Sequence, residues 1–349
     1  MSKALKNAHG RKGAVMRTGK ISESILKRSI LRQIKNCRDE IGKGAGVGED
    51  CAFFTWKSSA SMEDTGQDRL AVSTQTITFP VRRAGYLAVM AAANNLAASG
   101  AQPLAVTLAL TFPPDAEEAF LKETMRQAES CCAELDIQIV GGHTEVSQAV
   151  NSPVISATVM GKIMKPEIEK RNAAQMDIVM SKWIGLEGTA ILADEKEKEL
   201  TERYPVSLIQ VAKECGNYLS IASEAAIALK SGVYAMHDVR NGGVFGALWE
   251  LSRKIGVGLN IDLKKIPVRQ ETIEICEFYD LNPYEFLSGG ALLMVTEDGD
   301  ALVEALEQEG ISAAVIGMTT GGNDKIIRNQ DETRYLEPTV PDEIWKIDF

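Results

Sequence analysis

The sequence predicts an α+β protein built as two halves in series, and three observations predict it. The chain has 349 residues, a length that accommodates about two domains. Apolar residues make up 45 % and charged residues 25 %, the balance of an ordinary globular chain rather than a disordered, collagenous or coiled-coil one. Strand-like runs alternate with helix-period segments on both sides of a polar, charged patch at Lys165–Gln175, where a boundary belongs. The expected division is a flexible basic arm at 1–20, a first domain at 21–165 and a second at 172–349.

Residues 1–20 show no periodicity and are expected to form a mobile arm. Ser22 is placed to cap a short helix with Ile25, Leu26, Ile30, Leu31 and Ile34 on one face and basic residues on the other. A glycine-rich loop, Gly42–Gly48, leads into a strand at 51–56; a turn is expected at 58–68, then a buried β-branched strand at 70–79. A helix after Arg83 places Leu87, Ala91, Asn94 and Ala98 on one face and stops at Gly100. After a strand at 103–112, Asp115 is expected to cap a helix whose Leu121, Met125, Ala128, Cys132 and Leu135 form a packed stripe. Residues 137–145 run from strand into loop, and 153–162 form a strand ending at a glycine.

The second half opens with a strand at 177–183. YAMHDVRNGG (234–243) reads as strand, loop and helix start. The helix carries Val244, Leu248, Leu251 and Ile255 on one face and stops at Gly256. A strand at 291–297, a helix with Leu302, Ala305 and Leu306, and a strand at 313–318 complete it. The last thirty residues, polar and containing Pro338 and Pro341, are expected to wrap the surface.

Charge and composition exclude several classes. The longest apolar stretch, Tyr86–Ala101, is interrupted by Asn94 and Asn95, so no membrane span is expected. The first residues are basic and lack an apolar core, so no secretory signal is expected and the protein is assigned to the cytoplasm. None of the six cysteines forms a C-x-x-C pair, which points to buried reduced thiols. Three histidines in the whole chain argue against a histidine-built zinc site. Residues 1–36 carry +9, leaving 28 basic against 47 acidic residues and a body of −19. Such a body repels nucleic acid and suits a cation-assisted site; the arm either lies on that body or binds phosphate groups.

Four segments place small, polar or acidic residues just beyond expected strands. In GAGVGED (44–50), Gly46 and Gly48 permit a close approach or a sharp bend. Glu49 and Asp50 are candidate Mg²⁺ ligands, although by itself the loop is a plain acidic turn. It is neither a dinucleotide fingerprint, since a strand follows, nor a Walker loop. STQT (73–76) brings hydroxyls to a strand end. GGHTE (141–145) sets His143, Thr144 and Glu145 after Gly141 and Gly142, with His143 as readily a structural residue as a functional one. In HDVRNGGV (237–244), Gly242 and Gly243 start a helix, a natural phosphate seat, and Asp238 lies just upstream. Together the four imply a phosphate-plus-metal cleft between the halves.

The ordered motifs GVGEDCA, STQTITF, AANNLAASGAQPLA, IQIVGGHTEV, AMHDVRNGGVFGALWE and SGGALLM, spanning Ile21–Met318, resemble the aminoimidazole ribonucleotide (AIR) synthetase superfamily. SKWIGLEGTAILADE (181–195) and the GGHTEV form of the third segment resemble its AIR-synthase-related, hydrogenase expression/formation-like branch. The resemblance implies an AIR-synthetase-like α+β fold. Its N-terminal sheet joins a partner's in a dimeric barrel-like core, its C-terminal domain is an α/β sandwich, and ATP and Mg²⁺ bind nearby. It further implies a homodimer with a nucleotide and a small-molecule or protein substrate as partners, and phosphoryl transfer as the chemistry.

Position by position, the resemblance assigns Glu49, Asp50 and Asp238 to metal. Together with the loop reading, this assigns Gly46, Gly48, Ser73, Thr74, Gln75, Asn95, Gly141, Gly142, Thr144, Arg240, Gly242 and Gly243 to the nucleotide, Gly242 and Gly243 matching the family's phosphate-side glycines, and the phosphorylating reading sets His143 or Glu145 near the transferred group. Gln75 and Asn95 stand where the family carries aspartates. Each missing carboxylate about 4 Å from a cation forfeits roughly 1–4 kcal/mol of attraction. Arg240 is positioned to take over phosphate neutralisation. No cysteine follows Cys276, which argues against the carbamoyl-carrying reaction of the hydrogenase factor. Two functional expectations result: an ATP-binding protein that phosphorylates a small substrate or partner group, or a non-catalytic homodimeric scaffold with a degenerate Mg-ATP site.

Overall fold

The structure, a computed structural model, describes residues 23–34, 41–43, 46–55, 69–164, 173–338 and 341–349. The basic arm, the Ser22 cap, the 58–68 turn and most of the charged boundary patch lie outside those residues.

In the first half, α1 (Glu23–Ile25) precedes β1 (Ile41–Lys43), β2 (Ala52–Thr55), β3 (Arg69–Ile77), α2 (Ala84–Ala98), β4 (Ala101–Phe112), α3 (Glu118–Leu135), β5 (Gln138–Val146) and β6 (Val154–Ile163). The strands form one sheet in the order β1-β2-β3-β6-β4-β5, antiparallel except for the parallel β4–β5 pair. A two-residue period selects the buried face: Val106, Leu108, Leu110 and Phe112 of β4 and Ile155, Ala157 and Val159 of β6 point to the core.

Helix α2 lies across that face. All fifteen of its residues are buried, whereas the sequence predicts a single inward face. It packs on the sheet, on α3 and on the second half, and its alanines keep it thin enough to be covered all round. Two other expectations are corrected. The N-cap of α3 is Glu117, without a side-chain capping bond, rather than Asp115. Residues 141–146 continue as strand because β4 offers a parallel ladder through Phe112↔Val146, so the third segment is not a loop.

The second half contains β7 (Asp177–Ser181), α4 (Leu186–Glu195), α5 (Glu197–Thr201), α6 (Val206–Glu214), α7 (Ala222–Lys230), β8 (Ala235–Val239), α8 (Gly243–Ile255), β9 (Gly258–Asp262), α9 (Gln270–Phe278), β10 (Ala291–Thr296), α10 (Gly299–Gln308), β11 (Ala313–Thr320), β12 (Lys325–Asn329) and β13 (Glu332–Tyr335). Its seven-stranded sheet runs β13-β12-β9-β11-β7-β10-β8. Leu248 and Leu251 of α8 pack in the core on one face, and Leu302 and Leu306 of α10 in the core on the other. Sandwiched in this way, β10 is buried at every position.

The two halves share an apolar core. Leu186 and Ile191 of α4, Ile209 of α6 and Ile275 of α9 belong to the same buried cluster as Leu87, Leu110 and Ile155. The C-terminal segment reinforces the join instead of wrapping the surface. Ile344 is buried, and Trp345 and Phe349 pack on Phe79 with ring centroids 5.7 and 6.1 Å away. Among the described residues no helix is long and apolar enough to cross a membrane.

Candidate functional site

Where the halves meet, a cavity of about 370 Å³ opens between the 46–50 loop, β3, α2 and the β8–α8 junction. Its walls include Gly46, Gly48, Glu49, Asp50, Ser73, Thr74, Gln75, Asn95, Asp238 and Arg240. Each element has a local reason to be there. Gly48 adopts φ +75°, and a Cβ on it would lie 2.5 Å from the Glu250 carbonyl oxygen of α8, so the loop crosses the second half at backbone contact. The Ser73 hydroxyl donates to the Asp50 carbonyl at 2.9 Å and pins the loop to β3. The Cys51 thiol, 3.4 Å from the Asn95 carbonyl, ties the same loop to α2.

The floor is a polar network. Asp50 Oδ2 lies 2.9 Å from His237 Nδ1 and accepts from Lys254 Nζ at 2.9 Å. The other imidazole nitrogen, Nε2, lies 3.2 Å from Glu250 Oε2. Burial disfavours the imidazolium, but the Asp50 charge and the hydrogen bonds to Asp50 and Glu250 outweigh it and push His237 up to about 10. Burial likewise opposes ionisation of Asp50, yet the charges of His237 and Lys254 hold its carboxyl well below the usual range. Asp238 moves the other way, raised by burial and by the neighbouring Asp50 charge. Asn95, with its side-chain amide nitrogen turned to Asp238 at 3.1 and 3.2 Å, accepts on its amide oxygen from Gln75 Nε2 at 2.7 Å.

This donor set does not fit a divalent cation. Asp50, His237 and Asp238 bring one ligand atom each within 4.8 Å of one another, the spacing of a cation site. Both imidazole nitrogens, however, are engaged by carboxylates, and Asp50 Oδ2 already holds an ammonium. The Asn95 amide oxygen faces the Gln75 amide nitrogen instead of being presented to an ion.

Other predicted site residues lie elsewhere or are differently engaged. Gly141, Gly142, His143, Thr144 and Glu145 stand on β5, an exposed edge strand, and none of them lines the cavity. His143 and Glu145 contact each other at 3.5 Å with side chains 73 % and 51 % exposed. The Thr74 hydroxyl pairs with that of Thr158 at 2.9 Å. Arg240 lines the cavity, but its fork goes to Glu187: Nε donates to Oε2 at 3.0 Å and Nη2 to Oε1 at 2.8 Å, both residues buried. The expected phosphate neutraliser is thus matched by an internal carboxylate. The helix start at Gly242–Gly243 is matched as well, because the Gly242 N–H donates to Asp342 Oδ2 at 2.6 Å.

Sequence reasoning did not single out His237, Glu250, Lys254, Glu187 or Asp342. Glu250 and Lys254 are four apart on α8, a spacing that normally marks a solvated ion pair. The 46–50 loop crosses over this helix face, and the two side chains are only 16 % exposed. His237 adjoins a residue that was singled out, but its two carboxylate partners come from loop and helix.

The family model for the AIR synthase related protein N-terminal domain matches residues 48–163, and that for the C-terminal domain matches 177–329. The chain belongs to the AIR synthase-related family, and its fold is the two-domain AIR-synthetase-like fold. It is 29 % identical to a Methanocaldococcus jannaschii protein named for hydrogenase expression/formation, covering 86 % of this chain and 88 % of that one. It is 27 % identical to the carbamoyl dehydratase HypE of Rhodobacter capsulatus, over 77 % and 79 % of the two chains. A solved structure of the hydrogenase maturation protein HypE in complex with ATP has the same fold, with a TM-score of 0.63, 19 % identity and coverage of 94 % and 98 %.

Proposed function

We propose that the cleft binds ATP and that the chain is an ATP-dependent phosphoryl-transfer enzyme acting on a small substrate or on a group of a partner protein. The observation that carries this reading is the convergence of Asp50, Thr74, Asn95 and Asp238, from both halves, on one hollow. The ATP complex of a HypE of the same fold supports it. Phosphoryl transfer asks a protein chiefly for placement and charge compensation. Here Gly46 and Gly48 let the loop lie close to a polyphosphate, Ser73 and Asn95 fix the loop and helix that line it, and the Asp50–Lys254 pair supplies compensated charge. The functional unit is a homodimer in which β5, with Val140 and Val146 52 % and 57 % exposed, faces a second copy and gives His143 and Glu145 their setting.

Calorimetric titration of the full chain with ATP and ADP tests the reading. The wild type is expected to bind both, and Thr74→Glu, which sets a negative charge on an exposed cleft wall, to weaken ATP binding about tenfold or more. Release of ADP in the presence of substrate reports turnover; nucleotide bound without any ADP release is the outcome of a scaffold. A wild type that binds neither nucleotide overturns the assignment of the cleft.

A further inference from the structure

The resemblance implies a divalent cation beside Asp50, and the fold places a lysine there instead. Lys254 lies on α8 one helical turn beyond Glu250, and its ammonium donates to Asp50 Oδ2 at 2.9 Å and to the Met236 carbonyl at 3.1 Å. A lysine carries its charge at neutral pH without assistance. The side chain of Asp50 is 7 % exposed and that of Lys254 16 %, so solvent screens the pair little. Its position follows from the backbone, since the Gly48 loop rests on the Glu250 carbonyl and brings the next residues of the loop against the same helix face.

The surrounding donors agree. The same Asp50 oxygen also meets His237 Nδ1, and the Asn95 amide oxygen is taken by Gln75 Nε2. A second cation on Asp50 meets the repulsion of an ammonium already seated, with no neutral oxygen from Asn95 to complete its shell. The ammonium compensates Asp50 from behind the cleft wall, so that wall does not need an ion before a polyanion approaches it. We infer that Lys254 is a resident cation that takes the place of a divalent ion beside Asp50, so that a polyphosphate binds this cleft with little dependence on Mg²⁺. The inference deepens the nucleotide reading of the cleft and rests on it.

Two measurements on the full chain test it. In ATP titrations with EDTA or with excess Mg²⁺, the wild-type Kd is expected to agree within about threefold. Lys254→Met is expected to weaken binding in EDTA about tenfold or more, with Mg²⁺ restoring it, while Lys254→Arg keeps the indifference to Mg²⁺. In Mn²⁺ titrations without nucleotide, followed by electron paramagnetic resonance, the wild type leaves the ion free and Lys254→Met gains a bound one. A wild type that binds ATP only with Mg²⁺, or that binds Mn²⁺ as well as the variant does, overturns the inference. If no chain binds nucleotide, the reading of the cleft falls, and the Mn²⁺ comparison alone decides the role of Lys254. If Lys254→Met does not fold, the two wild-type measurements decide it.

Discussion

Glu187 and Arg240 show what burial does to a charge pair. Each is under 7 % exposed and the contact is bidentate, so removing one partner strands the other. Glu187→Ala is expected to cost about 3–5 kcal/mol, read from urea unfolding midpoints. His237 sets a pH dependence. Its folded value near 10 lies above the ordinary 6.5, so its stabilisation is complete below about pH 6.5 and disappears as pH rises through 10. Melting temperature should fall between pH 7 and 10, and His237→Asn should flatten that slope. Asp342 acts lower on the scale: burial raises it to about 7 from 3.8, so its ionisation weakens the fold as pH rises across that interval. At this scale the sequence identifies Asp50 and Asp238 as acids near glycines. It cannot show that Lys254 and His237 neutralise one of them, because those partners lie 204 and 187 positions away.

Among the elements, α8 is the most legible. Its stripe Val244, Leu248 and Leu251 is buried as its spacing predicts, and Gly256 ends it in the left-handed region at φ +72°. Its start is tighter than the pattern of glycines reveals. Gly243 has φ +61°, and a Cβ there would stand 2.3 Å from the Tyr284 carbonyl. Gly243→Ala is therefore expected to destabilise by about 1–3 kcal/mol, measured by chemical denaturation. The edge strand β5 was the least legible element, since two glycines and a polar run resemble a loop until β4 supplies hydrogen bonds. Val140→Asp on this edge is expected to weaken the proposed homodimer in sedimentation velocity while leaving monomer unfolding within about 0.5 kcal/mol of wild type.

Across the molecule, residues 341–349 stitch the two halves together. Asp342 accepts N–H bonds from Gly242, Leu287 and Ile344, and Trp345 and Phe349 reach Phe79 of the first half. Deleting 341–349 leaves the first two N–H donors unmatched and uncovers apolar surface. The expected loss is about 4 kcal/mol or more, read by calorimetric unfolding. Alternation and helical spacing were enough to establish the α+β class and most strands and helices, because each depends on residues a few positions apart; that the 46–50 loop, Ser73 to Gln75, Asn95 and Asp238 line one hollow while 141–145 do not was decided by the fold. The matching of Arg240 with Glu187, of the α8 start with Asp342 and of Asp50 with Lys254 arises only when distant segments are buried together. Burial makes an unmatched charge or N–H group costly, and the choice of partner follows from which backbones come into contact.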